Sequence, residues 1–393
     1  MTTSASARAA VSLFLDTFGG PPLAGASAPG RVNLIGEHTD YNGGPVLPLA
    51  IQRRTAVVAG PSQTWEAVSA LDGVVERIDP DGPMRKAWTD YLAGIVRVLR
   101  RLRAAPSAAR LAVAGDVPIG AGLSSSASLL VAAAKALSLL AGRRLGPGDL
   151  AEAAYVAEHD EVGVRCGRMD QTIAAHARPG AAILFETATG TIRQVPVPGR
   201  VWILETGVSH KLSGGALNQR RRECEEALAI LRAHGLRLEH LADLAPEDLP
   251  RAAAALPPPL VPRVRHVVTE TARTRAAADL LARGDLAGLG RLLREGHESL
   301  RTDYQSTIPE ADFLARVAVD KGAYGARLSG AGWGGALVML APAGREARVA
   351  AELQEAFRRE FGRTLTLWAT RAAGGVRAEG VGAGRRTVDL RGE

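Results

Sequence analysis

The stretch Pro118-Ile119-Gly120-Ala121-Gly122-Leu123-Ser124-Ser125-Ser126-Ala127-Ser128 decides how the rest of the chain is read. Glycines without a Cβ let the backbone approach an anion closely, and a helix that follows offers unpaired N–H groups and the positive end of its dipole. Such a helix is expected here. Leu129, Leu130, Ala133, Leu137 and Leu140 recur at helical spacing between Ser124 and Ala141, with Ser124 as the expected N-cap and Gly142 beyond the end. Three consecutive hydroxyls add donors or a metal ligand. A flexible turn closed by a capping serine has the same look, so the segment by itself is only a candidate anion site. Two familiar phosphate-binding devices are excluded. None of the four lysines follows a glycine as G-x-x-x-x-G-K requires, and G-x-G-x-x-S lacks the third glycine of the dinucleotide fingerprint.

Upstream, Arg31 to Ile35 and Ala50 to Val58 read as strands around the polar segment Gly36 to Gly44, where Asn42-Gly43-Gly44 supplies turn chemistry. Glu37, His38 and Asp40 crowd this turn. Carboxylates that accept hydroxyl protons and a histidine that donates or accepts suit a neutral polyhydroxyl ligand, although turn carboxylates also cap nearby N–H groups. Downstream, Asp149 and Glu152 suggest a capping box opening a helix to about Glu161. Asp170 stands near the start of the helical pattern MDQTIAAHA, where a helix dipole favours a charged carboxylate. Ala181 to Thr187 and Arg200 to Val208 read as strands flanking Pro196 to Gly199, which places a domain boundary there. Helical patterns follow at Gln219 to His234 and Arg263 to Arg283. The prolines 257, 258, 259 and 262 between them read as a surface loop. The Gly/Arg-rich tail after about Ala378 is expected to fray.

The chain has 393 residues, 46% hydrophobic and 23% charged, enough for a large core and about two domains. Its net charge of +7 comes from 44 arginines and 4 lysines against 41 acidic residues. That balance raises nucleic acid as a partner, but aromatics are only 4%, and of the densest runs, Arg97 to Arg103 and Arg220 to Arg222, the second is followed at once by Glu223, Glu225 and Glu226. Alternating signs mark a solvated helix, so neither nucleic acid nor membrane is expected as a partner. Cys166 and Cys224 form no C-x-x-C pair, the first residues do not read as a secretory signal, and Lys135 interrupts the longest apolar run. The expectation is a cytoplasmic, monomeric protein.

PIGAGLSSSAS resembles the ATP-binding motif of the GHMP kinase superfamily, which takes in galactokinase, homoserine kinase, mevalonate kinase and phosphomevalonate kinase. APGRVNLIGEHTDYNGG, Ala28 to Gly44, resembles the galactokinase signature nearly residue for residue. CGRMDQ, Cys166 to Gln171, and GARLSGAGWGGA, Gly325 to Ala336, resemble that family's catalytic segment and third glycine-rich motif. Weaker echoes at Asn218 to Ala227, Arg265 to Glu270 and His297 to Tyr304 carry the match across nearly the whole chain.

The resemblance implies a two-domain α+β fold: a ribosomal-protein-S5-like domain over residues 1–199, a ferredoxin-like domain over residues 200–393, and an active site in the cleft between them. It implies phosphorylation of D-galactose by ATP at O1, giving α-D-galactose 1-phosphate and ADP. Asp170 would face the sugar O1 as general base, with Arg31 beside it to favour the alkoxide and offset phosphoryl charge. Glu37, His38, Thr39, Asp40 and Gly167 would hold the sugar with Asp170. Gly120, Ala121, Gly122, Leu123, Ser124, Ser125 and Ser126 would wrap the nucleotide, and Ser126 with Glu158 would supply oxygens to Mg²⁺.

The family usually has a tyrosine where Leu217 stands. Loss of one neutral hydrogen bond is worth roughly 0.5–1.5 kcal/mol, enough to relax sugar choice without removing catalysis. Trp333 and the pair Leu328-Ser329 are smaller departures, read as size adjustments. The alternatives are a GHMP kinase for another aldose, or an inactive sensor of sugar and ATP. Intact Asp170, Arg31 and Ser124 to Ala127 speak against the sensor.

Overall fold

A computed structural model describes residues 3–208 and 213–381 of the chain. A six-stranded sheet runs in the spatial order Arg377–Ala378, Ala24–Asn33, Pro48–Pro61, Ala109–Gly115, Glu66–Ser69, Val75–Arg77. Its pairs are antiparallel except Glu66–Ser69 with Ala109–Gly115. One face buries Val57, Leu92, Ile95, Leu130 and Leu137 under the helices Thr89–Arg101, Ser125–Leu140, Pro147–Val156 and Met169–His176. The helix Ala5–Phe18 covers the other face through Ala7, Ala10 and Phe14.

The first strand begins at Ala24, seven residues before the expected Arg31. Its extra residues, Ala-Gly-Ala-Ser-Ala-Pro-Gly, have weak strand propensity, and pairing with Pro48–Pro61 decides the matter. Between Pro29 and Arg31 the register shifts in a bulge, a device that re-aims a side chain. A Cβ on Gly30 would stand 2.7 Å from the Leu123 carbonyl oxygen, so glycine is required where strand and Gly/Ser loop touch. Arg31 N–H donates to that carbonyl at 3.1 Å.

The second half holds a four-stranded antiparallel sheet in the order Gly325–Ser329, Ala336–Leu340, Val201–Glu205, Thr366–Thr370. Helices Ser213–Ala233, Leu249–Ala255, Val261–Ala282, Leu286–Ser299 and Pro309–Asp320 lie between its first two strands in chain order, and Glu346–Phe361 precedes the last. This is the βαββαβ connectivity of a ferredoxin-like unit with extra helices inserted, and the α+β fold class holds. A small third sheet pairs Pro45–Val46 with Ala181–Glu186 and Thr191–Pro196. The halves share one apolar cluster in which Leu34, Leu47 and Ile51 meet Ile203, Leu293 and Val338. No described helix is long and apolar enough to cross a membrane.

Several local expectations need correction. Gly146, not Asp149, is the N-cap of Pro147–Val156, and Asp149 at the third position accepts from the Gly146 N–H at 3.2 Å. Beyond Val156 the helix widens into a π-turn, Ala157–Glu161. Pro257 to Pro259 form a turn as expected, but Pro262 sits in the first turn of Val261–Ala282, where its missing N–H costs nothing. The tail does not fray directly after Ala378. Arg377–Ala378 pairs with the first strand, and buried Glu379 accepts from Ser27 Oγ at 2.6 Å and Ser4 Oγ at 2.8 Å. Residues 382–393 lie outside the described residues.

Candidate active site

The turn after the first strand is held by its own polar groups. Thr39 Oγ1 lies 2.8 Å from the Gly36 carbonyl and 2.6 Å from that of Pro45, and Asn42 Nδ2 donates to the His38 carbonyl at 2.7 Å. Thr39 is fully buried, so its hydroxyl is engaged by the turn, away from the pocket that Glu37, His38 and Asp40 line. That corrects the sequence-based expectation for Thr39. The pocket, about 130 Å³, is completed by Arg31, Gly167, Asp170, Leu217, Arg221 and Gly330. A Cβ at residue 167 would stand 1.8 Å from Asp40 Oδ2, so Gly167 serves by letting this carboxylate lie on its backbone.

His38 is held at φ 66°, a strained value for a side chain with a Cβ. Its ring stacks on Tyr304 at 4.3 Å, and Nδ1 lies 2.8 Å from the Tyr41 hydroxyl, itself 2.8 Å from the Tyr304 hydroxyl. Nε2 is buried without a hydrogen-bond partner among the described residues. Burial, with His266 beside it, pushes the ring well below the usual histidine range, so it is neutral and Nε2 can serve a ligand hydroxyl. Burial also raises Asp40 to about 6, with Asp170 adding to the rise and Arg221 opposing it. Cys166 lines the pocket as a neutral thiol, because burial pushes it far above the usual range.

Arg31, re-aimed by the bulge, grips Asp170 with both ends of its guanidinium: Nε to Oδ1 and Nη2 to Oδ2, each 2.8 Å. Its Nη1 donates to the Gly122 carbonyl, so one side chain spans the pocket lined by Glu37 to Asp40 and the Gly/Ser loop. The Ser124 hydroxyl also donates to Asp170 Oδ2. Ser124 occupies the N-cap position, but at φ 59° and ψ 48° its side chain makes no cap bond, contrary to expectation. The following N–H groups of Ser125–Leu140 are left for another acceptor. Ser125 and Ser126 line a second pocket of about 650 Å³ beside Trp88, Tyr91, Leu71 and Ile119. Leu71 and Ile119 are 76% and 68% exposed; Ile119 belongs to the Gly/Ser motif, whereas no sequence motif pointed to Leu71.

Glu158 lies in the π-turn, a helix defect that often marks functional residues. It is buried, accepts from Gln171 Nε2 at 2.7 Å, and is approached by the Ser126 hydroxyl. Burial raises its carboxyl to about 6. No arginine or lysine pairs with it among the described residues, so a cation beside Ser126 and Glu158 would relieve an uncompensated carboxylate. No described cluster of three or more His, Cys, Asp and Glu could hold a metal. A hard ion that keeps waters and substrate oxygens, as Mg²⁺ does, fits this two-oxygen set.

The third glycine-rich segment closes the site from the second half. Gly330 N–H donates to Glu37 Oε1 at 3.2 Å, and a Cβ on Gly330 would lie 3.4 Å from the Gly122 carbonyl. Sequence reasoning missed Tyr304, Arg221, Glu270 and Arg327, although all four lie in segments that echo the family. Leu217 does line the pocket, and Arg221, one turn on, holds its guanidinium 4.7 Å over the Tyr41 ring.

Three family models match: the galactokinase galactose-binding signature at residues 12–61, the GHMP kinases N terminal domain at 90–178, and the GHMP kinases C terminal domain at 277–359. The chain is 42% identical over 367 residues to a galactokinase of Chloroflexus aggregans, covering 91% of this chain and 94% of that one. A galactokinase of Thermotoga maritima is 36% identical over 354 residues, covering 89% and 98%. Among solved structures, Lactococcus lactis galactokinase complexed with galactose superposes with a TM-score of 0.89 at 28% identity, covering 93% of this chain and 98% of that one. Methanococcus jannaschii mevalonate kinase, at 17% identity and TM-score 0.61 over 90% and 99% of the two chains, shares the fold.

Proposed function

The chain belongs to the galactokinase family of the GHMP kinases, and from that premise we propose how its own residues phosphorylate galactose with ATP. The carrying observation is the Arg31–Asp170 pair, at the junction of the sugar-turn pocket and the Gly/Ser loop. Asp170 accepts the proton of the sugar O1 hydroxyl. O1 then bonds to the γ-phosphorus, the bond from that phosphorus to the β-phosphate bridging oxygen breaks, and ADP leaves. Arg31 holds the carboxylate in place and offsets charge on the transferring group. Glu37, His38 and Asp40 orient the sugar, the N–H groups after Ser124 receive phosphate oxygens, and the apolar pocket around Trp88 and Ile119 receives the adenine. A coupled ADP-release assay across galactose, galactosamine, arabinose, glucose and fucose, with ³¹P and ¹³C NMR of the product, tests this. α-Galactose 1-phosphate is expected, and phosphorylation at O6 would overturn the assignment of Asp170. We also infer a monomer working in a reducing cytoplasm, in keeping with two free cysteines, which gel filtration and fractionation test.

Ser126 and Glu158 would hold Mg²⁺, which when bound neutralises charge on the β- and γ-phosphate oxygens. Glu158→Gln is expected to raise the Mg²⁺ concentration for half-maximal activity about tenfold or more, and to weaken Mg²⁺-dependent ATP binding measured without sugar. Galactose binding should stay within about threefold. An unchanged Mg²⁺ titration would remove Glu158 from the set.

Glu37, raised to about 7 by burial, and Asp40, raised to about 6, accept sugar hydroxyl protons as carboxylates. The galactose KM is therefore expected to rise about tenfold as pH falls from about 8 to about 6. Stability runs the other way. A carboxyl whose folded value lies above its unfolded one, near 4, favours the fold when protonated, so that contribution fades as pH rises from about 4 through 6–7. Initial rates and melting curves over this range check both signs, and a flat KM would contradict the roles given to Glu37 and Asp40.

A further inference from the structure

We propose that Arg327 is a positioning residue for the sugar, holding the Glu37 carboxylate in its binding orientation from the opposite half of the chain. The proposal rests on the reading that Glu37 contacts galactose. Arg327 belongs to the strand Gly325–Ser329 and its side chain is wholly buried. A guanidinium there requires carboxylate partners, since an uncompensated buried charge is strongly unfavourable. It has two. Nη2 bonds Glu37 Oε2, and Nη1 bonds Glu270 Oε1 at 2.7 Å.

The two carboxylates depend on it unequally. Glu270 also receives Arg273 Nε at 2.9 Å and the Gly36 N–H at 2.9 Å; Arg327 first, then Arg273, holds it well below the usual carboxylate range despite burial. Glu37 has one other partner, the Gly330 N–H at 3.2 Å. Burial and the neighbouring Glu270 raise Glu37, and Arg327 is the larger of the opposing cations, with Arg31 a lesser one. Removing the guanidinium leaves Glu270 with Arg273 and the Gly36 N–H to hold it, while Glu37 keeps only the Gly330 N–H and loses its charge partner and its orientation. Glu37 lines the sugar pocket together with Gly330, so the consequence falls on sugar binding. Asp170, Arg31 and the Gly/Ser loop make no contact with Arg327 among the described hydrogen bonds, and the chemical step should be spared.

The test uses the full-length protein, with galactose KM, ATP KM and kcat from ADP release and Tm from calorimetry. Arg327→Lys keeps the charge but lacks the fork that reaches both carboxylates. It is expected to raise the galactose KM about tenfold or more, with kcat and ATP KM within about threefold. Glu270→Gln is expected to lower Tm while leaving the galactose KM within about threefold. A purely structural ion cluster would instead make the two variants alike, lowering Tm or active fraction with KM unmoved, and that result overturns the proposal. Glu37→Gln separates it from the reading beneath it: an unchanged galactose KM there means that Glu37 is no sugar ligand, and the proposal falls with that reading. If Arg327→Lys does not fold, the double variant Glu37→Gln/Arg327→Met removes the charge pair together. Its galactose KM should equal that of Glu37→Gln alone within about threefold, because Arg327 acts only through Glu37. A further large rise would overturn the proposal.

Discussion

Asp170→Ala is expected to lower kcat about 10³-fold, within the 10²–10⁴ range that a positioned proton acceptor contributes. Galactose affinity should be largely kept, for a reason visible in the pocket. The Asp170 carboxylate raises its neighbour Asp40, so its removal makes Asp40 easier to ionise and partly offsets the lost contact. Arg31 would keep its bond to the Gly122 carbonyl but lose both carboxylate partners, so Asp170→Asn belongs beside the alanine variant to separate chemistry from folding. Both variants should lose turnover, and the asparagine should melt closer to wild type. Single-turnover rates and calorimetric galactose titration check this. Undiminished turnover in either would assign the proton transfer to another group.

Gly296→Ala is expected to destabilise the fold by about 3 kcal/mol or more, against the gain of about 1 kcal/mol that alanine usually brings to a helix interior. Gly296 lies in the helix Leu286–Ser299 directly against the buried ion cluster. A Cβ there would stand 2.4 Å from Arg327 Nη1 and 3.1 Å from Glu270 Oε2, and that guanidinium is wholly buried and bonded to both Glu37 and Glu270. Gly148→Ala is the matched control. It too is helical, but nothing lies within 4 Å of its added Cβ, so it should stabilise by about 0.5–1 kcal/mol. Denaturant melts of the pair check the contrast, and equal shifts would mean that the cluster can move aside at little cost.

Much of this protein was legible before any coordinates. The Gly/Ser run before a helix, the absence of a lysine after it, and the Glu37 to Asp40 turn are local features, and local backbone chemistry acts at the spacing at which a sequence is read. The N-cap at Gly146 and the helical Pro262 were misread locally; at three other places the deciding partner was distant in the chain. Residues 24–29 form a strand because residues 54–59 offer a ladder, Ser124 points its hydroxyl away from the helix to donate to Asp170, and the segment around Glu379 is pinned by Ser4 and Ser27. The exposed apolar wall of Leu71 and Ile119 was invisible for the same reason, since exposure belongs to the assembled surface.

The mild basicity of the chain is explained in the same way. Among the 44 arginines, Arg31 and Arg327 both lie in motifs that resemble the family's, yet the motif around Arg327 does not say what its side chain meets. Arg31 could be assigned from its motif. Arg327 matters because two carboxylates 290 and 57 positions away converge on it in a space closed to water, where a charge must be matched. Family, chemistry and substrate class thus follow from short contiguous motifs, whereas the pairing of buried charges, the neutrality of His38 and the closure of the sugar pocket by Gly330 depend on burial, which only the folded chain creates.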